Sequence, residues 1–236
     1  MKSENSLESV KLDNNEIEYT ETYKQFDISK NRITYLYSKR VLDVLVSGLG
    51  LIFLSPVFLI VAILMKIKEP TGTILFGHTR NGQNGKKFKM YKFRSMCLNA
   101  EEILMADPVL YEKFVANGYK LSEGEDPRIT KVGAFLRKTS LDELPQLVNV
   151  LFGSMSLVGP RPIPDNEIEE YELRKNKFLS VKPGITGWWQ VSGRSNIGYP
   201  ERCDLELEYV DKMSLWLDIK ILVLTVVAVL KKEGAF

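Results

Sequence analysis

The longest apolar stretch of the chain covers residues 41–65, in which Asp43 is the only charged residue. A transmembrane helix needs about 20 apolar residues, so this stretch is long enough to cross a bilayer. Ser55-Pro56 lies inside it, and an interior proline removes a backbone hydrogen bond and predicts a kink. The pattern therefore predicts either one kinked span or two helices that enter and leave on the same side.

The charges that flank this stretch bear on the two alternatives. Lys39 and Arg40 precede it, and Lys66 and Lys68 follow it. Positive residues mark the cytoplasmic ends of membrane segments, and here they mark both ends. A re-entrant helix–break–helix accounts for this, with Asp43 neutralised by Lys39 and Arg40 one helical turn earlier. On these residues alone, the re-entrant pair and the kinked span stay equally open.

The remaining pattern predicts a small, mainly helical α+β protein. Residues 1–30 are polar without periodicity, which is typical of a flexible tail. Two Asn-Gly pairs within residues 71–94 predict strands joined by tight turns. Residues 215–230 are apolar but short for a membrane span, so we expect an interfacial amphipathic helix or a packing helix there.

Residues 140–147, Ser-Leu-Asp-Glu-Leu-Pro-Gln-Leu, predict the start of a central helix. Ser140 and Glu143 have the spacing of a capping box, and apolar positions follow at helical spacing. Asp142 and Glu143 would then lie in the first turn, where unpaired N–H groups and the helix dipole favour negative charge. Acids in a first turn often serve only as caps, so a structural role and a chemical role both stay open.

Composition excludes several kinds of chemistry. The net charge is +2, which says nothing about a partner. The single histidine, His78, argues against Ser-His or Cys-His catalysis and against a multi-histidine metal site. Cys97 and Cys203 match no metal-binding or redox spacing, so we expect free thiols.

The positive charges are unevenly distributed, and two groups of them are candidates for binding anions. Residues 80–94 contain six Lys or Arg and no acid, interleaved with aromatic residues. Such a segment binds anionic lipid, nucleic acid or a nucleotide diphosphate, or is simply a solvated strand face. Arg161 lies between two prolines, which fix the backbone and suit a guanidinium to bidentate binding of phosphate.

In combination, these blocks of sequence resemble the monotopic phosphoglycosyl transferases, also called the bacterial sugar transferase family. The resemblance extends from about Tyr35 to the C-terminus. The matching blocks are Lys39-Arg40 with Asp43, Ser55-Pro56, Arg80-Asn-Gly82, Lys92-Phe-Arg-Ser-Met96, Asp126-Pro-Arg128, Arg137-Lys-Thr-Ser-Leu-Asp-Glu-Leu-Pro145, Asn149, Met155-Ser156, Gly159-Pro-Arg-Pro162, Lys182-Pro-Gly-Ile-Thr-Gly187 and Gly193-Arg194.

The resemblance implies a reaction, which is the transfer of a sugar-1-phosphate from a UDP-sugar to a polyprenyl phosphate, usually undecaprenyl phosphate. It also implies that Asp142 is the nucleophile, which attacks the β-phosphorus, forms a covalent phosphosugar intermediate and releases UMP. Mg²⁺ bound through one or two carboxylates would offset the charge of the diphosphate, with Asp142 as a ligand. Glu143 would share the metal or orient the acceptor.

Four basic positions besides Arg161 are candidates for binding phosphate. Arg137, which precedes the acidic pair by about one turn, would hold the diphosphate together with Arg161. Lys92, Arg94 and Arg194 are lesser candidates for binding the nucleotide or the lipid phosphate.

The resemblance favours the re-entrant pair and implies a monotopic protein of minimal form at the bacterial inner membrane. The expected parts are a tail over 1–30, a re-entrant hairpin over 31–68 broken at Ser55-Pro56, and a cytoplasmic catalytic domain over 69–236. Partners would be the UDP-sugar, polyprenyl phosphate and the bilayer, with no nucleic acid. The sequence specifies neither the sugar nor an oligomeric state. The rival hypotheses are a non-catalytic module that binds anionic lipid and a transferase for another phosphate-containing group.

Overall fold

The computed structural model of the protein describes residues 30–117, 119, 121, 124–193 and 196–231. The predicted tail, apart from residue 30, and Arg194 lie outside these ranges. The helices are α1 (Lys30–Phe53), α2 (Ser55–Lys68), α3 (Ala100–Ala106), α4 (Pro108–Ala116), α5 (Lys131–Lys138), α6 (Gln146–Phe152), α7 (Asp165–Ile168), α8 (Lys175–Leu179), α9 (Trp188–Ser192), α10 (Glu201–Lys212) and α11 (Leu215–Lys231). The strands are β1 (Leu75–Asn81), β2 (Lys87–Phe93), β3 (Ser156–Val158) and β4 (Gly184–Thr186), and short 3₁₀ turns cover Gln83–Gly85, Leu141–Glu143 and Glu169–Arg174.

The strands form two small sheets within a mainly helical chain. β1 and β2 pair antiparallel as a hairpin, with Leu75 opposite Phe93 and Asn81 opposite Lys87. β3 and β4 pair parallel. The predicted mainly helical α+β class, with its strand region around residues 71–94, is confirmed.

The apolar stretch forms two helices that meet at an angle. α1 ends at Phe53 and α2 begins at Ser55, with 56° between them. Pro56 lies in the first turn of α2, where its missing N–H has no partner to lose. No single helix in the described ranges has both the length and the apolar composition of a membrane span, whereas the two helices together have both. The re-entrant arrangement therefore stays a prediction.

Asp43 is buried, and the charges of Lys39 and Arg40 favour its ionised form as predicted, although its hydrogen bonds come from elsewhere. Its carboxylate accepts hydrogen bonds from the Ser156 hydroxyl at 3.1 Å and from the Leu157 backbone N–H at 2.9 Å. Both donors belong to β3, which packs against α1. Tertiary packing therefore provides Asp43 with donors more than a hundred residues away, and Lys39 and Arg40 are left for other partners.

Those partners connect α1 to the rest of the protein. Lys39 Nζ lies 2.7 Å from the Asp218 carboxylate on α11. Arg40 donates two hydrogen bonds of 2.7 Å, to the backbone carbonyls of Val150 and Leu151. These carbonyls lie near the C-terminus of α6, where the helix dipole favours a positive charge. The basic pair therefore attaches α1 to α6 and α11.

The β1–β2 hairpin lies between two apolar clusters. Met90 of β2 is buried with Val150 and other residues of the largest cluster. Phe93 of β2 belongs instead to a cluster with Val61 of α2. Successive side chains of a strand point to opposite faces, so β2 contacts the largest apolar cluster with one face and the bent helix pair with the other.

Candidate functional site

The acidic pair precedes its helix and lies outside the helix's first turn. Asp142 and Glu143 lie in the 3₁₀ turn, and α6 begins only at Gln146, directly after Pro145. Ser140 has a left-handed backbone with φ of 55°, and its side chain makes no capping hydrogen bond. The predicted capping box is therefore wrong, because the left-handed residue changes the chain direction before a helix can begin.

Two basic side chains from distant parts of the sequence converge on this pair. Lys92 Nζ lies 2.7 Å from Glu143 Oε1 and 3.9 Å from Asp142 Oδ2. Arg161 Nη1 lies 3.8 Å from the same Glu143 oxygen. The site is thus formed where the end of β2, the 3₁₀ turn and the loop after β3 meet.

Arg137 reaches the site from α5. Its Nε donates a 2.9 Å hydrogen bond to the Ser95 hydroxyl. Gly133 makes this close packing of α5 possible, since a Cβ atom there would lie 1.9 Å from the Ser95 carbonyl oxygen. Burial lowers the pKa of Arg137, while the negative charges of Asp142 and Asp126 raise it. Arg137 therefore contributes positive charge beside the acidic pair.

Asp142 is buried, with 10% of its side chain exposed. Burial raises its pKa above the ordinary value, and the charge of Glu143 raises it further. Lys92, Arg137 and Arg161 act in the opposite direction, with Lys92 the largest of the three. Asp142 is consequently a dehydrated carboxylate whose charge depends on neighbouring cations, which is an environment typical of reactive groups.

The loop that carries Arg161 is fixed from both sides. A Cβ atom at Gly159 would lie 2.4 Å from the Lys182 carbonyl oxygen, so this position needs glycine for the loop to pack on the segment before β4. The Arg161 backbone N–H donates to Glu206 Oε1 at 3.2 Å. Glu206 lies on α10, and no sequence motif indicated it.

One of the lesser candidates, Arg94, has its own ion-pair partner outside this group of contacts. Arg94 is buried and pairs with Glu69 at 2.8 Å. A Cβ atom at Gly72 would overlap the Arg94 guanidinium, which shows how tightly that side chain is enclosed. Arg94 is thus placed as a structural ion pair, and Arg194 falls outside the described ranges.

The acidic pair can supply only some of the ligands of a metal ion. Within the described ranges, no cluster of three or more His, Cys, Asp or Glu side chains could hold a metal. Mg²⁺ is commonly bound through one or two carboxylates and completes its octahedron with water and substrate phosphates. Asp142 and Glu143 fit such a shared site and do not fit an all-protein metal site.

An apolar groove of about 500 Å³ lies between the bent helix pair and the hairpin. One wall is formed by the junction of α1 and α2, and the other by the hairpin and α6. Its lining residues are Leu51, Ser55, Phe58, Leu75, Tyr91, Pro145 and Val148. Pro145 follows Glu143 by two residues, so the groove runs from the helix break towards the acids.

Comparisons with known proteins connect this geometry to a family. The family model described as "Bacterial sugar transferase" matches residues 34–232. The undecaprenyl-phosphate galactose phosphotransferase of Salmonella typhimurium is 44% identical over 90% of this chain and 44% of its own length. The UDP-glucose:undecaprenyl-phosphate glucose-1-phosphate transferase of Escherichia coli is 44% identical over 80% of this chain and 39% of its own length.

This chain therefore spans less than half of the length of those two relatives. It covers more of the exopolysaccharide production protein ExoY of Sinorhizobium fredii, which is 44% identical over 84% of this chain and 88% of its own length. The family model and this extended match lead to one conclusion: the chain belongs to the bacterial sugar transferase family.

Proposed function

We propose that the protein is an enzyme that transfers a sugar-1-phosphate from a UDP-sugar to a polyprenyl phosphate, and so initiates assembly of a surface polysaccharide. The observation that carries this proposal is the buried Asp142, with Lys92, Arg137 and Arg161 around it. Support also comes from the relatives, whose names specify undecaprenyl-phosphate sugar-phosphate transfer and exopolysaccharide production.

Asp142 is the nucleophile in this proposal. A carboxylate oxygen attacks the β-phosphorus of the donor, an O–P bond forms, and the bond to the bridging oxygen breaks so that UMP leaves. An oxygen of the acceptor phosphate then attacks the same phosphorus. The bond to Asp142 breaks, which regenerates the carboxylate and leaves the sugar diphosphate on the lipid.

The neighbouring cations stabilise the negative charge that develops on the phosphoryl oxygens. Lys92 lies within 4 Å of both acids, and Arg137 and Arg161 are close enough to influence the pKa of Asp142. Fixed positive groups in a site with little water stabilise transferred phosphoryl groups strongly. Mg²⁺ held by Asp142, and shared or not with Glu143, would supply further positive charge to the diphosphate.

The apolar groove suits the first isoprene units of the acceptor. It is lined mainly by apolar side chains, and one of its lining residues, Pro145, follows Glu143 by two positions. With α1 and α2 re-entering the inner leaflet at Ser55-Pro56 and Lys39-Arg40 at the cytoplasmic surface, a lipid phosphate would meet a water-soluble donor at Asp142. We therefore assign the enzyme to the bacterial cytoplasmic membrane, with the catalytic part on the cytoplasmic face.

The test is Asp142→Asn, with donors labelled in the β-phosphate and Mg²⁺ present. Wild-type protein should release UMP and retain label even without acceptor, while the variant should lose both by at least about 10³-fold. Asp204→Asn changes an acid that is 64% exposed and serves as the matched control. Release of UMP by the Asp142 variant at the wild-type rate would refute the assignment of the nucleophile.

A panel of UDP-sugars in the same assay identifies the sugar. A module that only binds anionic lipid would release no nucleotide from any donor and would retain no label. A transferase for another phosphate-containing group would release its nucleoside monophosphate from a different donor.

A further inference from the structure

Arg80 is a buried guanidinium that the mechanism above does not use. It lies on β1 with its side chain 16% exposed. Its Nε is buried without a hydrogen-bond partner among the described residues, and its Nη1 lies 3.9 Å from Glu167 Oε1. A buried charged donor without a partner is costly, and one explanation for such a group is a ligand that completes its hydrogen bonds. Arg94 and Arg202 also have one such atom each, but both have a carboxylate within 3.4 Å, whereas the carboxylate nearest to Arg80 lies at 3.9 Å.

A second arginine reinforces the excess of positive charge at this place. Burial lowers the pKa of Arg80 to about 10, and the charge of Arg161 lowers it more than the nearby carboxylate of Glu167 raises it. Arg161 itself approaches its nearest acid, Glu143, only to 3.8 Å, which is longer than a direct hydrogen bond. The two guanidiniums thus repel each other, and within the described ranges neither has a carboxylate at direct hydrogen-bond distance.

Two other acids near these arginines, Glu167 and Glu206, already bind a third arginine. Arg202 is buried over the Trp189 ring at 4.4 Å and contacts Glu206 at 3.4 Å and Glu167 at 3.2 Å. Glu206 also accepts a hydrogen bond from the backbone N–H of Arg161. These two carboxylates therefore hold Arg202 and the Arg161 loop in place, and they leave the guanidiniums of Arg80 and Arg161 available to an anion.

The hairpin separates this anion site from the apolar groove. Side chains alternate along a strand, so Arg80 and Lys92 share one face, whereas Leu75 and Tyr91 of the groove share the other. Lys92 is paired with Phe76, four residues from Arg80, which corresponds to about 13 Å along the strand. Arg80 and Lys92 are therefore both on the face away from the groove, and about 13 Å separates their backbone positions, from which both long side chains extend.

We propose that Arg80 and Arg161 form a second phosphate site, which binds the α-phosphate of the donor and holds it as UMP departs. This assignment rests on the proposed function. It divides the donor site into two parts: the β-phosphate lies beside Lys92 and Asp142, and the α-phosphate of the nucleotide lies beside Arg80. A lipid phosphate has similar chemistry. The nucleotide is favoured because the groove that suits a lipid chain lies on the opposite face of the hairpin.

The test compares equilibrium binding of UMP and of uridine to the full chain in lipid nanodiscs. Arg80→Gln should weaken UMP binding about tenfold or more, since hydrogen bonds to charged groups are lost, and should leave uridine binding unchanged. Lys89→Gln is the matched control, because Lys89 is exposed on the other face of the same hairpin. It should bind both ligands as the wild type does.

Three results would overturn the assignment. The first is that the Arg80→Gln variant binds UMP as tightly as the wild type. The second is that the substitution weakens binding of farnesyl phosphate and not of UMP, in which case Arg80 belongs to the acceptor site. If Arg80→Gln does not fold, Arg80→Lys keeps the charge without the planar fork and should lose part of the preference for UMP over uridine. An unchanged preference in Arg80→Lys would also overturn it.

Failure of this inference and failure of the proposed function give different results. If wild type releases UMP from a UDP-sugar while Arg80 variants keep full UMP affinity, only the second phosphate site is wrong. If wild type neither releases nor binds UMP, both are wrong.

Discussion

Two buried aspartates, Asp218 and Asp142, have very different surroundings. Asp218 on α11 is 1% exposed and accepts hydrogen bonds from Tyr35 at 3.0 Å, from Lys39 at 2.7 Å and from Tyr209 at 2.7 Å. Both of its oxygens are bonded, and its partners come from α1 and α10. This carboxylate connects three helices.

Asp142 is nearly as buried, yet its contacts are long. Its nearest ion-pair partner is Lys92, at 3.9 Å. Burial dominates its pKa and raises it. The comparison teaches that a buried acid whose oxygens are all bonded supports the fold, whereas one that is surrounded by positive charge without close bonds remains available to a substrate.

The largest effect on stability is expected from Asp218→Asn. The change leaves Lys39, whose side chain is only 11% exposed, without its counter-charge, and removal of one member of a buried pair costs about 3–5 kcal/mol. Unfolding in detergent measures this loss in the free energy of unfolding. Asp204→Asn breaks an exposed pair with Arg174 and should cost at most about 1 kcal/mol.

A double variant sharpens this result. If Lys39 without its partner causes the loss, Lys39→Met should recover part of it in the Asp218→Asn background. Equal losses from Asp218→Asn and Asp204→Asn would remove the distinction between a buried structural acid and an exposed one.

Lys92→Met should change the pH dependence of UMP release. Lys92 is the cation that lowers the pKa of Asp142 most, so its removal raises that pKa further. The nucleophile must be ionised, so activity is lost as pH falls through this pKa, and the acid limb should move to higher pH by about one unit or more. Lys89→Met is the control, and an acid limb that does not move would contradict the role of Lys92.

Asp142→Asn should stabilise the protein slightly while it abolishes activity. Because the pKa of Asp142 is raised in the folded state, the protonated form favours folding, and this stability is lost as pH rises through the folded pKa. The neutral variant should therefore gain on the order of 1 kcal/mol at pH 7. The gain should vanish below about pH 4, where the acid is protonated in both states. Thermal unfolding of the variant and the wild type at pH 7 and below about pH 4 measures this difference in stability. A variant that is less stable than the wild type at pH 7 would contradict the prediction.

Local sequence predicted the elements well where the signal was itself local. The break at Ser55-Pro56 followed from the backbone geometry of proline, and the hairpin followed from two Asn-Gly pairs. The capping box failed because one left-handed residue, Ser140, redirected the chain. Lys39 and Arg40 do favour the charged form of Asp43, but its hydrogen bonds come from β3, which no local pattern indicated.

The site is a harder problem because its members are far apart in sequence. Motifs identified Asp142, Lys92 and Arg161 individually, but their meeting depends on the hairpin and on the loop after β3. No sequence feature indicated Glu206, because a buried acid on a helix cannot be distinguished by sequence from a solvent-exposed one.

The sequence by itself determined the helix and strand types, the break at the proline, the acidic pair and the family. These depend on backbone geometry and on residue type, which are properties of short segments. Only the tertiary structure decided which carboxylates are bonded and which are left among cations. Burial and counter-charges arise when distant segments pack together, and they separate Asp218, which holds helices, from Asp142, which is available for chemistry.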